Sequence, residues 1–206
     1  MNAQTEKLTA HGAAGAIEVA RDAPPGVSKG TALITHPHPL FGGTMDNKVV
    51  QTLARACVQS GWTALRFNFP GVGASAGVHD EARAETEDAL AVLEQFAPQG
   101  ALCIAGFSFG AFVATHAIER VRAQRRIDHI VLVGTSTQRA VALPVASELH
   151  ERTLVIHGEA DDTVPLSAVM DWARPQLLPV TVVPGGGHFF HGQLPLLKSL
   201  VLRHLV

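Results

Sequence analysis

The stretch ALCIAGFSFGAFVATHAI, residues 101–118, decides the fold of this chain. It begins with an apolar run typical of a buried strand, passes through the motif Gly106-Phe107-Ser108-Phe109-Gly110, and continues with apolar residues at helical spacing. Small residues two before and two after a serine let strand and helix approach closely. The pattern therefore predicts a sharp turn that presents Ser108 as a nucleophile at the carboxyl end of a strand. A purely structural Gly-Ser turn is the alternative interpretation.

Strands and helices alternate on both sides of this unit. Short apolar runs predict strands at 31–36, 63–69, 101–105, 129–133, 152–157 and 180–183. The runs are nearly continuous, as expected where helices cover both faces of a mostly parallel sheet, and the predicted class is α/β. One helical stripe consists of Val50, Leu53, Ala54 and Cys57. The first 30 residues, with a candidate strand at 15–20 and a Pro-Pro-Gly turn at 24–26, predict an antiparallel lead-in or edge hairpin.

The composition predicts one globular domain over residues 1–206. Hydrophobic residues make up 47% of the chain, charged residues 17%, and the formal net charge is −2. This charge gives no field that would attract nucleic acid, and no apolar run is long enough for a membrane span, so we expect no nucleic acid or membrane partner and a cytoplasmic location. Cys57 and Cys103 lie in apolar runs and are expected to be buried, reduced thiols. No pattern specifies an oligomeric state.

A serine nucleophile needs a histidine and a carboxylate later in the chain, in the order serine, acid, histidine. The strand at 152–157 opens into a loop that contains Glu159, Asp161 and Asp162. Asp161 and Asp162 are adjacent and point in different directions, so only one of them can orient an imidazole. From the residues alone this choice stays open, with Glu159 as a third candidate.

The candidate base lies in the loop after the strand at 180–183. His188 follows the glycine run at 185–187, and His191 comes three residues later. Both loops leave the carboxyl edge of the sheet, where Ser108 is also expected. We therefore predict that His188 is the general base and that His191 is a neighbour that faces the substrate, with a merely solvated side chain as the alternative.

The loop His36-Pro37-His38-Pro39-Leu40-Phe41-Gly42-Gly43 is a candidate oxyanion loop. Proline has no N–H, so only His38, Leu40 and Phe41 can donate backbone hydrogen bonds near its centre. The amide of Phe109 supplies one oxyanion donor, and we assign the second to Leu40. A metal pair of His36 and His38 is an alternative, but no third ligand is evident, and we expect neither a metal nor a cofactor.

Five segments resemble the small bacterial α/β-hydrolases typified by the signature HPHP-x-x-GG-T-M-x-N. The segments are HPHPLFGGTMDNKVV, RFNFPGVGASAG, GFSFG, HGEADDTVP and GGGHFFHG, and the resemblance extends over nearly the whole chain. The resemblance implies an α/β-hydrolase fold, a triad of Ser108, Asp161 and His188, and an oxyanion hole formed by the amides of Leu40 and Phe109. Similar proteins are mostly classed as predicted serine hydrolases or esterases. One departure is Pro70, which stands where such proteins commonly have arginine.

The chain has no room for a lid. About 18 residues, from Thr135 to Arg152, separate two predicted strands, enough for a loop and a short helix. We expect a shallow, open pocket with a rim of Leu40, Phe41, Phe107, Phe109, Phe189 and Phe190, some of which must be core. Phe41, Phe107, Phe189 and His191 are the predicted substrate contacts. The predicted reaction is hydrolysis of a short or medium acyl ester, a small molecule, through an acyl-enzyme; thioester or peptide cleavage, or ligand binding without catalysis, are the alternatives.

Overall fold

A computed structural model of the chain describes residues 5–137 and 142–206. The strands in this part are β1 (Glu6–Gly12), β2 (Gly15–Asp22), β3 (Thr31–Thr35), β4 (Thr63–Phe67), β5 (Leu102–Phe107), β6 (His129–Val133), β7 (Thr153–Gly158) and β8 (Val180–Val183). They form one sheet in the order β1-β2-β4-β3-β5-β6-β7-β8. The pairs β1–β2 and β2–β4 are antiparallel, and every pair from β4 to β8 is parallel.

The six strands predicted from residue 31 onward are all present, with ends that differ by at most two residues. The candidate strand at 15–20 is the start of β2, which forms the predicted hairpin with β1 at one edge of the sheet. The strand β1 itself was not predicted. Its sequence alternates polar and apolar residues from Lys7 to Gly12, but Ala10 is its one buried residue and the other apolar positions are only half-buried, so the pattern is a weak strand signal.

Helices cover both faces of the sheet, which confirms the predicted fold class. They are α1 (Lys48–Gln59), α2 (Arg83–Phe96), α3 (Phe109–Arg122), α4 (Leu166–Ala173) and α5 (Leu194–His204). The core under α1 and α5 contains the predicted stripe of α1, and a second core lies under α2, α3 and α4. Cys57 and Cys103 are both buried and unbridged in the core under α1, as expected.

The sequence predicts that the connection between β6 and β7 is too short to form a lid. Residues 138–141 lie outside the described residues. The described remainder contains one 3₁₀ helix, Ser147–Arg152, in place of the expected short α-helix. Among the residues that the structure describes, no helix is long and apolar enough to cross a membrane.

Candidate active site

Ser108 occupies a strained turn between β5 and α3. Its φ of +57° lies in the left-handed region, which side chains rarely adopt. A Cβ atom on Gly106 would lie 2.5 Å from the carbonyl oxygen of Gly110, so both positions must stay small for the turn to close. The amide of Ser108 donates to the carbonyl of Val133 at 2.8 Å. Strand β6 therefore anchors the turn from the neighbouring position in the sheet.

His188 reaches Ser108 from the loop that follows β8. Its Nε2 atom lies 2.9 Å from Ser108 Oγ, so the hydroxyl is within hydrogen-bonding distance of the ring. The imidazole packs against Phe107, with ring centroids 5.0 Å apart. Gly134 lies at the end of β6 next to the same ring, and a Cβ atom there would be 3.4 Å from Cε1 of His188. His188 is thus confined by packing in the position from which it contacts Ser108.

Asp161 lies in the loop after β7 and contacts the side of the His188 ring that faces away from Ser108. Its Oδ2 atom accepts a hydrogen bond from Nδ1 of His188 at 2.7 Å. Its Oδ1 atom accepts the amides of Thr163 at 2.9 Å and Val164 at 2.7 Å. Burial acts to raise the pKa of Asp161, but the hydrogen bonds from His188 and Val164 outweigh it and hold the pKa below its usual value. The carboxylate therefore stays ionised beside the imidazole at neutral pH.

The other two acids of this loop do not contact His188. Asp162 is exposed and accepts a hydrogen bond from the Thr163 hydroxyl at 3.3 Å. Glu159 accepts the amide of Gly185 at 2.8 Å. That bond ties the acid loop to the glycine run before His188. Of the three carboxylates considered from the sequence, Asp161 is the one that the fold brings to the histidine.

The two amides assigned to the oxyanion hole differ in their surroundings. Phe109 is the first residue of α3, so its N–H has no acceptor within the helix, and it immediately follows Ser108. Leu40 lies in a 3₁₀ helix, Pro39–Phe41, and its amide donates to Nδ1 of His38 at 3.3 Å. The amide of Phe41 donates to the carbonyl of His38 at 3.1 Å. In this structure the Leu40 amide is therefore occupied by a side chain that the sequence did not assign to it.

His36 joins the oxyanion loop to the loop after β4. Its Nε2 atom accepts the amide of Phe69 at 2.9 Å, and its Nδ1 atom donates to the carbonyl of Pro37 at 2.6 Å. Burial lowers the pKa of His36 to about 4, against the opposing effect of the Pro37 carbonyl. With both ring nitrogens bound to backbone groups, His36 cannot share a metal ion with His38 in this conformation. Among the described residues there is no group of three or more metal-ligating side chains.

The predicted rim divides into core and surface. Leu40, Phe41 and Phe189 have 70%, 71% and 43% of their surface exposed. His191 is also exposed, with its ring 5.9 Å from that of Phe189. Phe107 is fully buried beneath the ring of His188, which corrects the expectation that it touches substrate. Phe109 and Phe190 are buried too, because the first begins a core helix and the second packs under α5.

His157 belongs to the site, although sequence reasoning did not include it. This fully buried histidine lies near the end of β7, and its Nε2 atom donates to the carbonyl of Val164 at 2.8 Å. The same atom lies 3.5 Å from Oδ2 of Asp161. Burial lowers the pKa of His157, so it is a neutral donor at neutral pH. The sequence feature that could have identified His157 is its position four residues before Asp161, at the end of the strand that leads into the acid loop.

A histidine pair beside Phe109 was also missed. The His79 ring lies 4.7 Å from that of His38 and 5.3 Å from that of Phe109. Nδ1 of His79 binds the buried carboxylate of Glu85 at 2.6 Å. Glu85 also accepts the amide of Ala82 at 2.9 Å, at the start of α2. The loop after β4 is thereby fastened next to the residue that follows the nucleophile.

Comparisons with known proteins agree with the observed fold. A family model described as alpha/beta hydrolase domain matches residues 31–194. A Xanthomonas campestris protein described as a member of the α/β serine hydrolases without a lid is 33% identical, with a TM-score of 0.87 over 100% of this chain and 95% of that protein. An α/β serine hydrolase homologue from Coxiella burnetii is 36% identical, with a TM-score of 0.81 over 98% and 97%.

One curated relative gives a shorter match. It is an uncharacterized protein of Rickettsia prowazekii, 41% identical over 107 residues, which are 50% of this chain and 44% of the relative. The match thus spans less than half the length of that relative.

Proposed function

The chain belongs to the alpha/beta hydrolase domain family, and on that basis we propose that it is a serine hydrolase that cleaves short or medium acyl esters. Ser108 is the nucleophile, His188 the general base and Asp161 the carboxylate that orients it. The observation that carries the proposal is the continuous series of hydrogen bonds from Ser108 through His188 to Asp161, at 2.9 and 2.7 Å. This geometry is the one that activates a serine hydroxyl for acyl transfer.

The reaction runs through an acyl-enzyme. The oxygen of Ser108 attacks the ester carbonyl while His188 takes the hydroxyl proton on Nε2. The C–O bond to the alcohol then breaks, and His188 returns its proton to the leaving oxygen. A water molecule attacks the acyl carbonyl, again giving its proton to His188, and the carboxylic acid departs as Ser108 is regenerated. Asp161 stabilises the imidazolium that forms in both halves of the reaction.

The developing oxyanion is held by the amides of Phe109 and Leu40. The Phe109 amide is at the start of α3, where helix N–H groups favour negative charge. The Leu40 amide must first leave Nδ1 of His38. That bond is long at 3.3 Å, and an oxyanion is the stronger acceptor, so the exchange favours the reacting state.

Exposed apolar side chains near the nucleophile support an acyl substrate. Phe189 packs against His188 with ring centroids 5.0 Å apart, and Phe41 lies 4.8 Å from the ring of His38. Both rings keep large exposed surfaces, as does Leu40, while His191 lies beside Phe189. An acyl chain of short or medium length could cover these surfaces without a tunnel. We propose Phe41, Phe189 and His191 as the contacts with the substrate.

The test combines turnover with covalent labelling. Wild-type protein, Ser108→Ala and the exposed control Ser199→Ala are each incubated with p-nitrophenyl esters from acetyl to octanoyl and with a fluorophosphonate probe. We expect turnover and labelling in the wild type and in Ser199→Ala, and neither in Ser108→Ala. Parallel thioester and amide substrates decide between the members of the acyl-transfer class. If the wild type shows neither turnover nor labelling, the proposal fails and a ligand-binding role without catalysis takes its place.

We further propose that the chain acts as one domain over residues 1–206, since all described strands belong to one sheet. A small molecule as substrate fits the formal charge of −2 better than a nucleic acid does. The cytoplasmic location stays a prediction from the sequence.

A further inference from the structure

A cavity lies at the carboxyl edge of the sheet, and Ser108 is not among the residues that line it. It has a volume of about 440 Å³ and is enclosed by three segments: the β1–β2 turn, the loop after β4 and the first half of α2. The residues that matter here are Ala13, Ala14, Pro70, Val78, Ala84 and Asp88. We call it the Asp88 cavity. Its size falls within the range of pockets that hold small molecules.

Its position follows from the strand directions. Strands β1 and β4 are both antiparallel to β2, so β1 ends at the same edge of the sheet as β4 and β5. Neighbouring strands are about 4.8 Å apart, so the end of β4 is about 10 Å, and the end of β1 about 19 Å, from the strand that carries Ser108. The cavity therefore opens on the same side of the molecule as the nucleophile but is separate from the triad.

Asp88 is a buried carboxylate without a partner. Only 5% of its surface is exposed, and it accepts no hydrogen bond from any described residue. One carboxylate oxygen packs against Gly12 at the end of β1, close enough that a Cβ atom there would overlap it. No oxygen of Asp88 is among the fully buried side-chain atoms that lack a partner, so the carboxylate faces the cavity, where a donor or counterion would stabilise its charged form.

The other titratable side chains around Asp88 already have partners. His79 binds Glu85 at 2.6 Å, and Arg83 binds Asp80 at 2.7 Å. Glu87 forms a salt bridge with Arg120 at 2.8 Å. The β1–β2 turn contributes only the two alanines and no charge. Among the described residues around the cavity, Asp88 is the acid that has neither an ion-pair nor a hydrogen-bond partner.

The pKa of Asp88 agrees with this picture. Burial, with a smaller contribution from the nearby Glu85, raises its pKa to about 6. At neutral pH the carboxylate is then mostly ionised, and the arginine that lines the cavity, Arg83, is paired with Asp80 instead. A ligand that brings one positive charge and N–H donors would satisfy it.

We propose that the Asp88 cavity binds an organic monocation of the alkylguanidinium or alkylammonium class, with its N–H groups donating to Asp88 and its alkyl part against the alanines and Pro70. Guanidinium can donate two parallel hydrogen bonds to one carboxylate. The proposal does not depend on the hydrolase reaction, because binding is measured on the protein directly. It can therefore stand even if the esterase proposal fails.

The test is a titration of the full chain with small organic ligands. Binding is measured by calorimetry and by the shifts of amide NMR signals. The ligands are n-butylguanidinium, n-butylammonium and n-butylurea, which is a neutral mimic of the guanidinium. We expect at least one cation to bind with a dissociation constant of about a millimolar at about pH 8, to shift the signals of Ala13, Ala14 and Val78, and to bind at least about tenfold more tightly than the urea. Binding should weaken as the pH falls through about 6, where Asp88 gains a proton.

Three variants complete the experiment. Asp88→Asn should weaken cation binding about tenfold or more, whereas the exposed control Glu94→Gln should leave it unchanged. Pro70→Arg places a guanidinium on the cavity wall, so it should abolish cation binding while Asp88 remains, and it serves as a second test if Asp88→Asn does not fold. Failure of both cations to bind, equal binding by wild type and Asp88→Asn, or equal binding of the urea would overturn the proposal.

Discussion

Nε2 of His157 lies 3.5 Å from Oδ2 of Asp161, the oxygen that binds His188. The same nitrogen donates to the carbonyl of Val164 at 2.8 Å, and the amide of Val164 donates back to Asp161 at 2.7 Å. A neutral, fully buried histidine thus closes the turn that carries the carboxylate. His157 is a positioning residue, because it acts on the site through Asp161 and Val164.

The first prediction concerns His157→Phe. The variant removes the donor to the Val164 carbonyl, and an unpaired buried carbonyl costs about 1–3 kcal/mol of unfolding free energy. The displaced Asp161 should lower kcat for an ester about tenfold or more while KM changes little, because misplaced catalytic groups affect the transition state. Denaturant unfolding and steady-state kinetics measure the two effects.

His157→Gln keeps an N–H donor at a similar distance from the backbone and should recover much of kcat. The exposed His11→Gln serves as a control. If His157→Phe loses stability but keeps the wild-type kcat and pH profile, His157 has a structural role only.

The second prediction compares two adjacent acids. Asp161→Asn removes the carboxylate that accepts from Nδ1 of His188, and its amide favours the wrong tautomer of the imidazole. By analogy with the chymotrypsin triad, kcat should fall by up to about 10⁴. Asp162→Asn should keep kcat within about twofold, because Asp162 is exposed and its side chain accepts a hydrogen bond from Thr163 rather than from His188. Ester turnover by the two purified variants is the measurement, and equal losses would contradict the assignment.

The third prediction tests the tight turn at Ser108. A Cβ atom on Gly106 would lie 2.5 Å from the Gly110 carbonyl oxygen and 2.6 Å from Oγ1 of Thr35. Gly106→Ala should therefore lower the free energy of unfolding by about 2 kcal/mol or more and suppress labelling of Ser108. In the matched control, Gly187→Ala, the new Cβ would have its nearest neighbour at 4.0 Å, and the unfolding free energy should hardly change. Similar losses in both variants would show that crowding at the turn is not the cause.

The fourth prediction is the pH dependence of Asp88. Its pKa is raised from 3.8 to about 6, so the folded state is penalised when the group is ionised. Ionised Asp88 therefore lowers the free energy of unfolding by an amount on the order of 1–3 kcal/mol. This loss of stability is nearly complete above about pH 6 and disappears as the pH falls from 6 to 4.

Asp88→Asn should therefore be more stable than the wild type at about pH 8 and nearly equal to it at about pH 4. Denaturant unfolding at both pH values checks this. A stability difference that does not vary between the two pH values would show that Asp88 does not titrate in this range.

Much of the fold could be predicted because it depends on local patterns. The apolar runs placed six strands to within two residues, and the glycines around Ser108 predicted the turn between β5 and α3. The strand β1 escaped prediction because its alternating pattern is short and contains few large apolar residues, and Ala10 is its one buried residue. Its place in the sheet depends on pairing with β2, which a single segment does not reveal.

The site was less predictable, because it depends on which side chains meet across the sheet. Phe107 and Phe189 are both phenylalanines beside site residues, yet one lies in the core and the other at the surface. The contact between Leu40 and His38 depends on the conformation of one 3₁₀ turn. Asp88 looks like an ordinary acid on the surface of a helix until the end of β1 packs against it.

The sequence by itself determined the order of strands and helices, the turn at Ser108, and the loops that supply an acid and a base, because spacing along the chain carries that information. The tertiary structure decided that Asp161 and not Asp162 meets His188, that His157 supports the acid loop, and that Asp88 is buried without a donor. These outcomes depend on which side chains the fold brings close together in space. Hydrogen bonding and desolvation depend on that proximity, which the order of residues along the chain does not give.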